Sequence, residues 1–156
     1  MRFEPNDFKD LILYLLQTMH NELNYFGDNN SPYHGSPNQF DEFNAFTSFC
    51  HSYTIHNFSI ISNIFYGTYE IITQCLGCNK KIYDFKNFEF ISFNMYDYIN
   101  KPFNIYNGFE DNQKIQLLKG DDKFFCNNYK RKCEAIKCCK IIQPPNKLLI
   151  HRLWQK

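Results

Sequence analysis

The chain has no long apolar run, no marked excess of one charge and no internal repeat. Its longest uninterrupted apolar stretch, Leu11-Ile12-Leu13-Tyr14-Leu15-Leu16, is six residues, whereas a membrane-spanning helix needs about 20. The opening MRFEPNDFKD mixes charges with a proline where a secretory leader would carry an apolar segment. A formal net charge of +1 offers no general electrostatic reason for a nucleic acid or an anionic membrane as partner. These absences lead us to expect an intracellular chain, cytoplasmic or nuclear, with neither membrane nor nucleic acid as partner.

What is present is a large apolar and aromatic content. Of 156 residues, 44% are apolar and 19% aromatic, with 17 Phe and 11 Tyr, enough to build a core and to exclude global disorder. Seven cysteines is an odd number, and their spacing is unlike a secreted disulfide framework. In a reducing compartment they read as thiols or metal ligands.

The elements follow from periodicity and punctuation. Segment 5–24 reads as a helix, with Pro5 in its first turn and Asn6, Asp7 and Asp10 near its positive end. Phe8, Leu11, Leu15, Met19 and Leu23 recur at helical spacing, widened by Ile12 and Leu16, and predict one buried face. Segment 25–37 is a loop by composition. A second helix is expected over about 37–55, with Ser36 as cap, Pro37 in the first turn, Gln39 as capping partner, and Phe40, Phe43, Phe46 or Thr47, Cys50 and Tyr53 on its apolar face. SIISNIF (59–65) reads as a short helical turn capped by Ser59.

From Tyr66 the chain turns to β-branched and aromatic residues alternating with polar ones. Strands are expected at 67–75, 80–90, 123–126, 131–142 and 147–153, with a short helix near 104–112. The prediction is α+β: a helical part over 1–65 and a mostly antiparallel sheet over 66–156.

The motif with chemistry in it is CLGCNKK (75–81), at the tip of the first predicted hairpin. Two cysteines two residues apart can supply one edge of a tetrahedral zinc site. The next cysteine is Cys126, in FCNNYKRKC, but the position two residues beyond the gap is Tyr129. A phenol is a poor ligand at neutral pH, because it must lose a proton with a pKa near 10. Three thiolates and a water would be a usable geometry, and so would recruitment of Cys133, seven residues past Cys126. Cys50 is expected as a small core hydrophobe, and adjacent Cys138 and Cys139 on opposite faces of a strand. His20, His34 and His56 are expected on the surface or in loops, and His151 on the polar face of the last strand.

In order, NDFKDLILYLLQTMHNELN (6–24), FSIISNIFYGTYEIITQCLGCNKKIYDFKNFEFISFNM (58–95) and YNGFEDNQKIQLLKGDDKFFCNNYKRKCEAIKCCKIIQPPNKLLIHRL (106–153) resemble the ubiquitin-specific protease family of cysteine deubiquitinases. The resemblance covers the family's helix with a Leu-His-Glu-Glu-Leu-like close, its Ser-Ile-Ile-Ser turn, its two zinc knuckles and a Pro-x-x-Leu-Ile strand. It implies an incomplete papain-like hand fold with zinc-ribbon fingers that hold ubiquitin. It also implies a structural zinc on Cys75, Cys78 and Cys126, with Cys133 or Tyr129 at the fourth position. Asp7 and Asp10 match acidic positions that can face the arginines of ubiquitin's tail.

The departures from the family's pattern are as informative. Neither its Gly-Asn-Thr-Cys-Tyr-like nucleophile box nor its Gly-His-Tyr-like base box is found in these residues, so no catalytic residue is assigned. The expectation is a fragment or degenerate copy of such an enzyme, inactive by itself. The alternative is a non-catalytic ubiquitin-binding or zinc-ribbon interaction module.

Overall fold

The computed structural model describes residues 8–25 and 41–153. In chain order the elements are helices α1 (Phe8–Glu22), α2 (Glu42–His56) and α3 (Ile60–Phe65), then strands β1 (Gly67–Cys75), β2 (Lys81–Phe88) and β3 (Phe90–Asn94). Helix α4 (Ile105–Asn112) follows, and then strands β4 (Gln116–Leu118), β5 (Phe124–Cys126), β6 (Arg131–Cys133), β7 (Ala135–Gln143) and β8 (Leu149–Leu153). The fold is α+β, as expected.

The main sheet has the order β2-β1-β7-β4 with antiparallel neighbours throughout. β5 and β6 form a separate antiparallel hairpin, and β3 pairs with β8 in parallel. β1 spans the residues expected of it. The strand expected over 80–90 ends at Phe88; after Glu89 the chain resumes as β3 and pairs with β8 instead of β1. The strand expected over 131–142 divides at Glu134, because β6 pairs with β5 and β7 with β1.

β1 begins at Gly67 for a steric reason. A Cβ there would lie 2.5 Å from the Phe88 ring and 2.8 Å from the Gln143 carbonyl oxygen, so both neighbouring strands close on bare backbone. Two apolar clusters then cover the sheet. Ala45 and Phe49 of α2 pack on Phe85 of β2, flanked by Phe46, Cys50 and Tyr53. Phe88, Ile91, Phe93 and Met95 form the second cluster, closed by Phe109 of α4, whose ring meets Phe93 edge-on at 5.2 Å.

Two helical expectations need correction. Of the predicted buried face of α1, Phe8, Leu11, Leu15, Met19 and Leu23 face outward, and only its flanking Ile12 and Leu16 turn inward. The buried residues are Leu16 and His20, with Ile12 and Leu13 half-buried. α1 is apolar nearly all round in its first half, so periodicity does not choose a face. A polar contact accompanies the choice made: His20 Nδ1 lies 2.6 Å from Ser59 Oγ, and the imidazole is 5.3 Å from the Tyr66 ring. His20 is thus buried, not a surface residue. Burial holds its pKa below the usual histidine range, against a contact with Asn57 that acts the other way.

The second correction is the start of α2. The helix begins at Glu42, and its cap is Asp41, whose carboxylate accepts the Asn44 N–H at 3.0 Å. Serine and aspartate cap about equally well, so both were available to the sequence. Ser36, Pro37, Gln39, Phe40 and His34 lie outside the described residues. Phe43, expected on the apolar face, is 75% exposed, and Ala45 and Phe49 occupy that face instead. His151 alternates inward with Leu149 and Leu153, while Ile150 faces out, so it is not on the outer face of β8. The Ser59 cap of α3 is as expected, with reciprocal 3.0 Å bonds between Ser59 and Ser62.

One buried carboxylate couples helix to sheet. Glu70, in the middle of β1, is 3% exposed and sits opposite Lys140 of β7. Burial raises its pKa, the Glu42 carboxylate beside it raises it further, and Lys140 and Lys81 oppose the rise. Glu42 lies in the first turn of α2. A proton on the buried Glu70 carboxyl is therefore favoured. The native state binds that proton more tightly than the unfolded chain, so stability falls as pH rises above the unfolded-state value of 4.5 and levels off beyond the raised native value. Glu70→Gln should remove this loss and stabilise the chain at neutral pH by about 0.5–1 kcal/mol. Urea unfolding at acid and neutral pH should show the gap between variant and wild type widening with pH.

Candidate metal centre

The tip of the β1–β2 hairpin is built by Leu76-Gly77-Cys78-Asn79-Lys80. The Asn79 N–H donates to the Cys75 carbonyl at 2.9 Å, and the Cys75 N–H donates to the Lys80 carbonyl at 3.1 Å. Asn79 takes a left-handed φ of 57°, which asparagine tolerates better than most residues. The turn folds Cys78 back over the end of β1. The second knuckle is the β5–β6 loop, Asn127 to Lys130, which begins directly after Cys126.

The two knuckles are joined by backbone and side chains. The Leu76 N–H donates to the Glu134 carbonyl at 2.9 Å, and Lys80 Nζ donates to Asn128 Oδ1 at 3.3 Å. The thiols of Cys75, Cys78 and Cys126 converge, their sulfurs all within 4.8 Å of one another. Cys75 is 1% and Cys126 2% exposed, and Cys78 is half-buried. Cys78 Sγ and Cys126 Sγ are 3.6 Å apart, far beyond the roughly 2.05 Å of a disulfide. Two thiolates on one tetrahedral ion, with bonds of about 2.3 Å, would stand about 3.8 Å apart. The three side chains are thus close enough to hold a metal ion. A cavity of about 130 Å³ opens beside Cys75 and Cys126, between Ile82 and Phe124.

The electrostatics prepare one sulfur for ligation. Backbone N–H groups of Tyr129 and Asn128, with the thiols of Cys78 and Cys75, favour the Cys126 thiolate and bring its pKa down to about 7. Cys78 moves the other way. The Lys80 N–H favours its thiolate, but burial and the neighbouring Cys126 and Cys75 thiols outweigh that and push it up. Cys126 thus ionises more readily than Cys78, and cation binding by thiols releases protons.

Tyr129 has a different task from ligation. Its hydroxyl donates to the Gly77 carbonyl at 3.0 Å, and its ring lies so close that a Cβ on Gly77 would stand 2.8 Å from it. The phenol joins the second knuckle to the first, and the Arg131 guanidinium lies over its ring, 5.6 Å from the centroid. Sequence reasoning did not find this lock, although the glycine inside CLGC was the signal for it. Cys133 lies next in line, half-buried on β6, with its thiol 3.7 Å from the Arg131 carbonyl.

The other candidates stand apart. Cys50 packs half-buried against the Phe49–Phe85 cluster, and burial pushes its thiol up, opposite to what a nucleophile needs. Cys138 and Cys139 are half-buried in β7. Asp10 is exposed in the first turn of α1 and lies 3.9 Å from Lys9 Nζ. Asp7 lies outside the described residues. The class so defined is an α+β chain with a three-thiol cluster at the tip of its central hairpin. No protein-family model matches it.

Tyr129→Phe should cost about 0.5–1 kcal/mol, one partly exposed hydrogen bond, and leave metal uptake intact. Gly77→Ala should cost more, roughly 2 kcal/mol, because the tethered ring must be displaced. Thermal unfolding of both variants, alongside metal titration, separates the lock from the ligands.

Proposed function

We propose that the chain is the helix-and-fingers part of a ubiquitin-specific-protease-type protein, a fragment or degenerate copy that holds ubiquitin without cutting it. Its fingertip is fastened by a structural zinc ion. The observation that carries this reading is the convergence of Cys75 and Cys78 from one knuckle with Cys126 from another, 48 residues beyond Cys78. A thiol-rich, water-poor donor set at tetrahedral spacing suits zinc, while hard cations prefer oxygen ligands. Zinc there supplies a cross-link and takes part in no reaction. The chain's own residues do the rest: Tyr129 and Gly77 seat the knuckles, and the Leu76–Glu134 bond sets their depth.

Within these residues no side chain is assigned to cutting: Cys50 packs against aromatic rings and burial pushes its thiol up. The fingertip exposes Leu76 and Phe125, apolar groups that a protein partner would cover. The exposed carboxylate of Asp10 is available to an arginine-bearing tail. An intracellular setting, cytoplasmic or nuclear, accords with seven cysteines kept as thiols.

Zinc added to the reduced, metal-free chain should bind one ion per chain and raise the melting temperature by roughly 10 °C or more, the shift expected of several kcal/mol in a chain of this size. A chelator should reverse it. Labelled ubiquitin titrated into the zinc-loaded chain should bind in the micromolar to millimolar range, and Asp10→Lys should weaken it several-fold. Zinc uptake with no ubiquitin binding at millimolar concentration would leave a zinc-ribbon module with some other partner.

A further inference from the structure

We propose that Cys133, not residue 129, is the fourth ligand of the thiol site, so that the metal is held by four cysteines in an unevenly spaced pair of knuckles. The inference rests on the metal-centre reading above.

Backbone register brings Cys133 beside the site, although its sulfur lies outside the group of three that stand within 4.8 Å of one another. β7 pairs with β1 so that Ala135 stands opposite Cys75, and the Leu76 N–H bonds to the carbonyl of Glu134. The chain from Cys133 to Ala135 therefore runs directly alongside the first knuckle. From the other side, β6 pairs with β5 so that Cys126 faces Arg131 and Phe124 faces Cys133. Cross-strand partners share a face, and residues two apart on one strand share it too. Cys133 therefore points to the same side of the hairpin as Cys126, one diagonal step away. Its thiol neighbours those of Cys75 and Cys126.

Competing occupants of the fourth position are weaker. The Tyr129 hydroxyl is engaged with the Gly77 carbonyl, and coordination would break that bond. A water would leave an open coordination position, the arrangement of catalytic rather than structural zinc sites. The Cys133 thiol is held at the Arg131 carbonyl by a weak 3.7 Å contact, which a side-chain rotation would release. The six-residue gap between Cys126 and Cys133 is the length of the β5–β6 loop with its return strand. In this arrangement the ligand sits on the strand after the turn, and the ion ties together β1, the β1–β2 turn, β5 and β6.

Cobalt(II) is the probe, because its thiolate charge-transfer absorption scales with the number of bound sulfurs. The full reduced chain should show a tetrahedral four-thiolate spectrum. Cys133→Ser should lose about a quarter of the charge-transfer intensity, one thiolate in four, and bind at least about tenfold more weakly, the loss that even outer-shell changes produce. Tyr129→Phe should leave the spectrum unchanged. In the unmutated chain, zinc should protect Cys133 from alkylation together with Cys75, Cys78 and Cys126, while Cys138 stays reactive. This second measurement does not depend on the variant folding. Full charge-transfer intensity in Cys133→Ser, or unprotected Cys133 in the zinc-loaded chain, would overturn the inference while the three-thiol centre stands. Failure of the unmutated chain to bind cobalt or zinc would overturn the metal-centre reading itself.

Discussion

Strand β1 is hydrogen-bonded on both edges, to β2 along eight paired positions and to β7 along another eight. That double register is what the rest of the structure depends on. Side chains alternate across a strand, so a slip by one residue would turn every inward group outward. Here it would turn Glu70 away from the face on which it is buried. Gly67 guards one end of the register, because any side chain there would collide with Phe88 and with the backbone at Gln143. Cys75 marks the other end, opposite Ala135, where the two knuckles meet.

The two ends of the sheet are held by different physics. Near its start, aromatic rings do the packing: Tyr69 stacks on Phe88 at 4.1 Å, and the Phe93 cluster closes beneath. Toward the tip the apolar core thins out. Leu76, Phe125 and Tyr129 are substantially exposed, and what is buried is sulfur. A small tip of hairpins cannot bury enough apolar surface to hold itself, and a metal cross-link is the usual remedy. The Tyr129–Gly77 lock and the Leu76–Glu134 bond arrange the thiols, but neither offsets the cost of crowding three of them.

Much of the fold was legible from local pattern. Alternation and β-branching located β1 to within a residue, and Ser59 announced the cap of α3. The short helix expected near 104–112 is α4. Legibility failed where a choice depended on what lies opposite. α1 has apolar residues on two faces, and the face that docks is the one carrying His20 to Ser59. The cap of α2 is Asp41, not the expected Ser36. The break at Glu134 was invisible because residues on both sides favour strands; only their different partners divide them.

The same division runs through the candidate site. The amino-acid sequence by itself determined that a thiol pair at CxxC spacing stands at a hairpin tip, since the turn residues and flanking strands are local properties. It also determined that position 129 carries a phenol, a poor ligand. Only the tertiary structure decided that Cys126 reaches this pair and that the Tyr129 phenol seats Gly77. It alone brought residues 133–135 alongside the first knuckle. The physical reason is that ligand sets are closed by long-range strand register, which depends on every pair in the ladder and leaves no trace in the spacing of any one motif.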